Sequence, residues 1–327
     1  PRLLPSGVTM CGLPRIIVSS VSIINVPTYS APVTADLTPR QMMEKAGCDW
    51  EVQKVPTYAA MDGVDLIPTG TSALVRSSDN SVLAPMVGDN WEPVQNVEAF
   101  DFFTEYCLAG DMEMHTAGSL ADGKNVWALA KVNESFDVLG GDQVDSYLLF
   151  SNPHQYGKSL NVRFTPIRVV CNNTLTMSLS TKAKNEVALN HRRKFDPQMV
   201  KDQLGIAHEK FAMYKDAARF LAKKRVTEGN LIQFFNNVFP IADKNAEVKT
   251  YADLSRTAKR TYDVLETQPG ANFAMGSYWN AVNAVTYMTD HELGRNADTR
   301  MQSAWFGANQ SKKLKAMNLA LEMAEAA

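Results

Sequence analysis

Near residue 185 the hydrophobic period of this chain changes, and no other feature limits its fold as much. Ahead of that point, short alternating runs are separated by turn residues. Segments 50–55, 72–76, 82–86, 113–117, 125–132, 145–151 and 161–176 read as strands. Ser77-Ser78-Asp79-Asn80 and Asp122-Gly123 supply hairpin turns. Thr38-Pro39 opens a short helix that stops at Gly47, and Asn96 caps a second over 97–108. Beyond residue 185, Val200, Leu204, Ala207, Phe211, Tyr214, Ala218 and Leu221 recur at alternating spacings of four and three. That is a heptad seam, which wants a partner helix in the same chain or in another subunit. Further helices are expected over 228–238, 245–267, 272–292 and 309–325. Strands followed by helices predict an α+β fold. It divides into a segment 1–34 of uncertain structure, a mainly antiparallel sheet domain with short helices over 35–185, and a helical region over 186–327 packed on it.

The composition, 45% hydrophobic and 21% charged over 327 residues, suits a globular protein. No apolar run reaches the roughly 18 residues of a membrane span, so no membrane partner is expected. Residues 13–26 are apolar, but Arg15, Ser19, Ser20 and Ser22 interrupt them, which favours a strand over an export signal. The four cysteines form no CxxC pair and read as free thiols of a reducing compartment.

Charge is uneven. Residues 1–180 hold 11 basic and 19 acidic side chains, whereas 182–225 hold 12 and 5. A basic segment of net +7 suits either a solvated helix face or a polyanion.

Local signals for catalysis are weak. Gly118 to Asn125 nearly matches a phosphate-binding loop, but Asn125 stands where a hydroxyl should hold magnesium, and Asp122-Gly123 favours a hairpin. The five histidines have no metal-ligand spacing, and Asp290-His291-Glu292 point apart on a helix. No nucleophile elbow is present. No catalytic residue, metal ligand or cofactor is therefore assigned.

The stretch 147–176 gathers more amide, imidazole and guanidinium groups than a half-buried strand pair needs. Lys158, Arg163 and Arg168 are candidates for phosphate contacts, with His154 and Tyr156 available to stack on bases. Arg163 and Arg168 are five apart and would point to opposite faces unless Pro166 interrupts the strand and realigns them. Lys182, Lys184, Arg192, Arg193 and Lys194 would extend a basic track. Ser151, Asn152, Asn172 and Asn173 are candidates for a structural polar network, and the whole hairpin reads equally well as structural.

Segments 37–52, 87–103, 117–132, 148–175 and 279–307 together resemble the phage/plasmid-like proteins of the domain-of-unknown-function 932 family. The resemblance runs in order over about residues 35–315, although residues 1–34 lack the Trp-His-Gly-Leu-Gly-like start common in that family. It implies a bacteriophage, prophage or mobile-element setting and a bacterial host cytoplasm. A weaker analogy leads to oligomeric single-strand annealing proteins. The leading expectation is a non-enzymatic homo-oligomer that binds single-stranded DNA and assists annealing or recombination. The alternatives are a host-interaction or anti-defence protein that binds a host factor, and a metal-dependent nuclease or nucleotide hydrolase.

Overall fold

The computed structural model describes residues 17–19, 32–33, 37–109, 111–170, 173–174, 186–189, 211–243 and 245–327. Two short strands, β1 (Ile17–Ser19) and β2 (Pro32–Val33), pair in parallel. Helix α1 (Pro39–Lys45) follows. Thr38 Oγ1 accepts from the Gln41 backbone and Thr38 N donates back to Gln41 Oε1 at 3.0 Å, a reciprocal cap that starts the helix where the sequence predicts. Gly47, at φ 66°, ends it.

Strands β3 (Val52–Met61), β4 (Val64–Arg76) and β5 (Val82–Val87) form a three-stranded antiparallel sheet. The first two run well beyond their predicted ends. Pro56, Gly63, Pro68 and Gly70 mimic loop composition, yet a hydroxyl cluster of Thr57, Thr69 and Thr71, 2.6–2.9 Å apart, ties the two strands together. The helix predicted over 97–108 is two, α2 (Asn96–Asp101) and α3 (Thr104–Ala109). Gln95, not Asn96, occupies the cap position; the Asn96 side chain turns inward and donates to the carbonyls of Cys48 and Trp50.

Strands β6 (Met112–Leu120), β7 (Asn125–Asp137), β8 (Gln143–Pro153) and β9 (Leu160–Arg168) make an antiparallel meander at the centre of an eight-stranded sheet. The near-miss phosphate loop is the β6–β7 hairpin turn, with Ala121 and Asp122 in the left-handed region. β9 takes two outer partners: β10 (Asn173–Thr174) at its end, and β11 (Glu186–Leu189) opposite Leu160 to Arg163. The sheet therefore continues past residue 185. Pro166 pairs with Ser146 in an unbroken β8–β9 register, and on its other side it falls between the two outer partners, where a missing N–H costs no ladder bond. The strand is not realigned, so Arg163 and Arg168 point to opposite faces.

The helical half contains α4 (211–223), α5 (Glu228–Val238), α6 (Arg256–Asp263), α7 (Tyr278–Tyr287), α8 (Ala297–Phe306) and α9 (Ala308–Glu325). The helix expected over 245–267 shortens to α6 because Thr250 and Asp253 close a turn of their own and Ser255 caps afresh. α7 ends in a π-helical turn, Met288–Glu292. α8 was not anticipated. Phe211, Tyr214, Ala218 and Leu221 of the heptad seam are buried within this chain, Phe211 against Phe136 and Tyr214 against Trp279, so this part of the seam finds an intramolecular partner. Val200, Leu204 and Ala207 lie outside the described residues.

Three hydrophobic clusters result among the described residues. One lies between α1–α3 and the sheet, one joins the β7–β8 end of the sheet to the helices, and one sits beneath α8, where Trp127 meets Trp305 edge to face at 4.8 Å. Among the described residues no helix is long and apolar enough to cross a membrane.

Candidate functional site

The β8–β9 hairpin divides into a buried body and an exposed tip. In the body, Arg168 is 1% exposed. Its Nε donates to Asp142 Oδ1 at 2.6 Å, and Nη1 and Nη2 donate to the carbonyls of Pro269 and Gly270. Asp142, fully buried in the Gly140-Gly141 turn before β8, also accepts from Trp279 Nε1 at 2.9 Å. This network ties the sheet to α7. The phosphate contact expected of Arg168 is corrected: a guanidinium enclosed by a carboxylate and two carbonyls presents nothing to a ligand outside.

Arg163 faces the other side of the sheet, 9% exposed. Nη1 donates to Trp305 O at 2.6 Å, and its guanidinium stacks 5.2 Å from the Phe306 ring centre. It anchors the end of α8, so the phosphate role expected of it is corrected as well.

His154 is fully buried, edge-on to Trp50 at 5.5 Å. Its Nε2 lies 3.0 Å from Asn96 Oδ1. Because the Asn96 amide nitrogen already donates to two carbonyls, Oδ1 is the acceptor and His154 Nε2 carries the proton. An imidazole packed this way does not stack on a base. Asn152 donates to Val94 O at 2.8 Å and reaches the same network through Asn96 Oδ1 at 3.5 Å, and Ser151 donates to Asn125 Oδ1 at 2.8 Å.

The tip differs. Tyr156 is 64% exposed and Lys158 is exposed beside it. The neighbouring β6–β7 turn brings half-buried Lys124, whose carbonyl accepts from His154 N at 2.8 Å. β11 ends with Leu189 opposite Leu160, next to this tip. Basic helix α4 lies at the other end of the sheet, where Arg219 donates to Asp137 O. Lys182, Lys184, Arg192, Arg193, Lys194 and Asn172 lie outside the described residues, and of Asn173 only the backbone, paired with Arg168, is described.

Two polar groups escaped the sequence reading. In the first, Lys313 of α9 is 2% exposed and donates to Asp290 Oδ1 at 2.7 Å, Thr174 Oγ1 at 2.6 Å and Thr174 O at 2.9 Å. Asp290 Oδ2 accepts from Thr174 N and Oγ1. The π turn carries Asp290 to this site, while its neighbours go elsewhere, His291 against Tyr287 and Glu292 toward Arg260. One signal was readable: Lys313 interrupts the buried stripe Asn309, Ala316, Met317, Ala320 and Ala324 of α9.

In the second, His115 occupies a β-bulge between Met114 and Thr116, 5.0 Å from the Tyr147 ring and near the Lys131–Asp145 ion pair of 2.7 Å. His115 Nδ1 has no hydrogen-bond partner among the described residues. Burial, and then Lys131, lower its pKa to about 4. Burial holds the Tyr147 phenol above its ordinary range.

The His115 shift gives a pH dependence. Between about 4 and the ordinary 6.5 the unfolded chain binds a proton that the folded chain does not, so stability rises with pH across that window. Acidification from 6.5 to 4 is expected to remove up to about 3 kcal/mol through this group. Urea titrations of wild type and His115→Phe over that range check it. Equal slopes would contradict it.

No curated protein and no solved structure matches the chain. A family model does match, and the residues that build the buried network, from Arg163 and Arg168 through Asp142 and Trp279 to Asp290 and Trp305, fall inside the matched part. The chain belongs to the family described as a domain of unknown function (DUF932), whose model covers residues 85–311.

Proposed function

We propose that this protein binds single-stranded nucleic acid through the β8–β9 tip, within the phage or mobile-element setting in a bacterial cytoplasm that the sequence resemblance implies. One observation carries this reading. An aromatic ring and an ammonium group, Tyr156 and Lys158, stand exposed on a turn carried by the buried body of the hairpin, and β11 ends beside them. Arg192, Arg193 and Lys194 follow β11 within five residues. A base stacks on the Tyr156 ring while Lys158 and the basic run neutralise flanking phosphates. The mode needs no sequence readout, which suits a role in annealing.

Tyr156→Ala is expected to weaken binding of a single-stranded oligonucleotide by roughly 1–3 kcal/mol, the worth of one stacked base. Lys158→Ala should lower the salt dependence by about 0.7, one phosphate contact. Fluorescence anisotropy with a labelled oligonucleotide at several salt concentrations measures both. A wild-type protein with no affinity at low salt would end this reading.

A further inference from the structure

The β3–β4 hairpin is an arm. β5 reaches only as far as Ser72, so from Pro56 to Thr71 the arm has two strands and, among the described residues, no covering layer. Eight large apolar side chains between Val55 and Met86 are exposed, Met61 and Leu66 at 63% each. An isolated two-stranded ribbon is marginal in water, and an apolar one is a hazard unless something covers it.

The strand register sorts these side chains. Cross-strand partners share a face, so Val82 with Val75, Val55 with Ala73, Ala59 with Ile67 and Met61 with Val64 form one strip along the solvent side of the three-stranded sheet. The opposite side holds the buried Val52 and Leu74 near the body of the protein and the exposed Tyr58 farther out on the arm. The strip is uncharged, and residues 55–75 contain no Lys or Arg, only Asp62 and Asp65 at the tip. A surface without cations does not take a polyanion, and two tip carboxylates oppose insertion into lipid.

We infer that this strip is a self-association surface, and that its occupant is the same strip of a second copy related by a twofold axis. Identical twisted sheets pack face to face at a small angle, and a strip of Val, Ile and Met buries no unpaired charge when it meets itself. An antiparallel crossing puts the two acidic tips at opposite ends of the contact, beyond the screening length of about 8 Å. At about 3.3 Å per residue and 4.8 Å between strands, the face measures about 30 by 13 Å. Two of them remove roughly 800 Å² from water, the size of a weak, reversible contact rather than an obligate one.

Sedimentation equilibrium of the full chain from about 1 to 100 µM tests this, the range in which a contact of that size populates both states. The mass should climb from 36.1 kDa toward twice that value. Val55→Lys/Ile67→Lys, at positions already 42% exposed and so compatible with folding, should weaken association on the order of tenfold or more, with an unchanged near-ultraviolet spectrum. Tyr156→Ala should associate like wild type, which separates this contact from nucleic-acid binding. A mass fixed at 36.1 kDa across the range would overturn the proposal. So would a lysine variant that associates like wild type, or a monomer that sediments with lipid vesicles or captures a host protein through the strip.

Discussion

Asp142→Ala is expected to cost about 3–5 kcal/mol of unfolding free energy, one of the two largest single effects in this chain. The carboxylate accepts from Arg168 Nε at 2.6 Å and from Trp279 Nε1 at 2.9 Å, and both partners are within 1% of full burial. Alanine leaves a buried guanidinium without its carboxylate, although the carbonyls of Pro269 and Gly270 still accept from it, and takes away the acceptor of the Trp279 indole N–H. Each is a desolvated donor whose water was removed on folding. The conformation gives no escape: Arg168 is fixed by β9 pairing, and a Cβ at Gly270 would sit 2.8 Å from its Nη2, so the cage is already tight. The comparison is Asp101→Ala, which breaks a bidentate pair with Arg40 of the same chemistry but 63% and 40% exposed, and which should barely move the urea midpoint. If both variants unfold at the same urea concentration, burial is not what gives Asp142 its weight.

The alternation of 125–132 and 145–151 and the cap at Thr38 are local signals, and the elements stand where those signals put them. What sequence could not supply was the direction of a side chain relative to layers not yet assembled. Arg163 and Arg168 have the composition of a phosphate site and the burial of core residues. Only the docking of α7 and α8 makes them so. Asp142 reads as an ordinary turn residue after two glycines, and its partners lie 26 and 137 positions away. The arm failed for the opposite reason, since Pro56, Gly63, Pro68 and Gly70 break local strand propensity while register and threonine hydroxyls sustain the pairing. Tyr156 and Lys158, offered by the same sequence reasoning, stand exposed on a turn.

Asp290→Ala is the second large effect, again about 3–5 kcal/mol near neutral pH, because it leaves the Lys313 ammonium buried with only the Thr174 carbonyl and hydroxyl as acceptors. This variant differs from Asp142→Ala in one respect: lysine can shed its charge and arginine cannot. Burial already holds Lys313 below the ordinary value near 10.5, with Asp290 opposing that shift and Arg163 adding to it. Without Asp290 the pKa falls further. Between that lowered value and 10.5 the unfolded chain binds more protons than the folded one, so the stability of Asp290→Ala must rise with pH through the window and level off above 10.5. Wild type should rise less, because its carboxylate keeps part of the charge favourable. Lys313→Met leaves Asp290 with the two donors of Thr174 and should lose this alkaline dependence. Asp290→Ala/Lys313→Met removes both charges and should be more stable than Asp290→Ala alone, a coupling that a double-mutant cycle of urea unfolding at pH 7 and pH 9.5 measures directly. Additive single effects, or an Asp290→Ala stability that stays flat with pH, would mean that the ammonium reaches water and that the π turn does not seal it in.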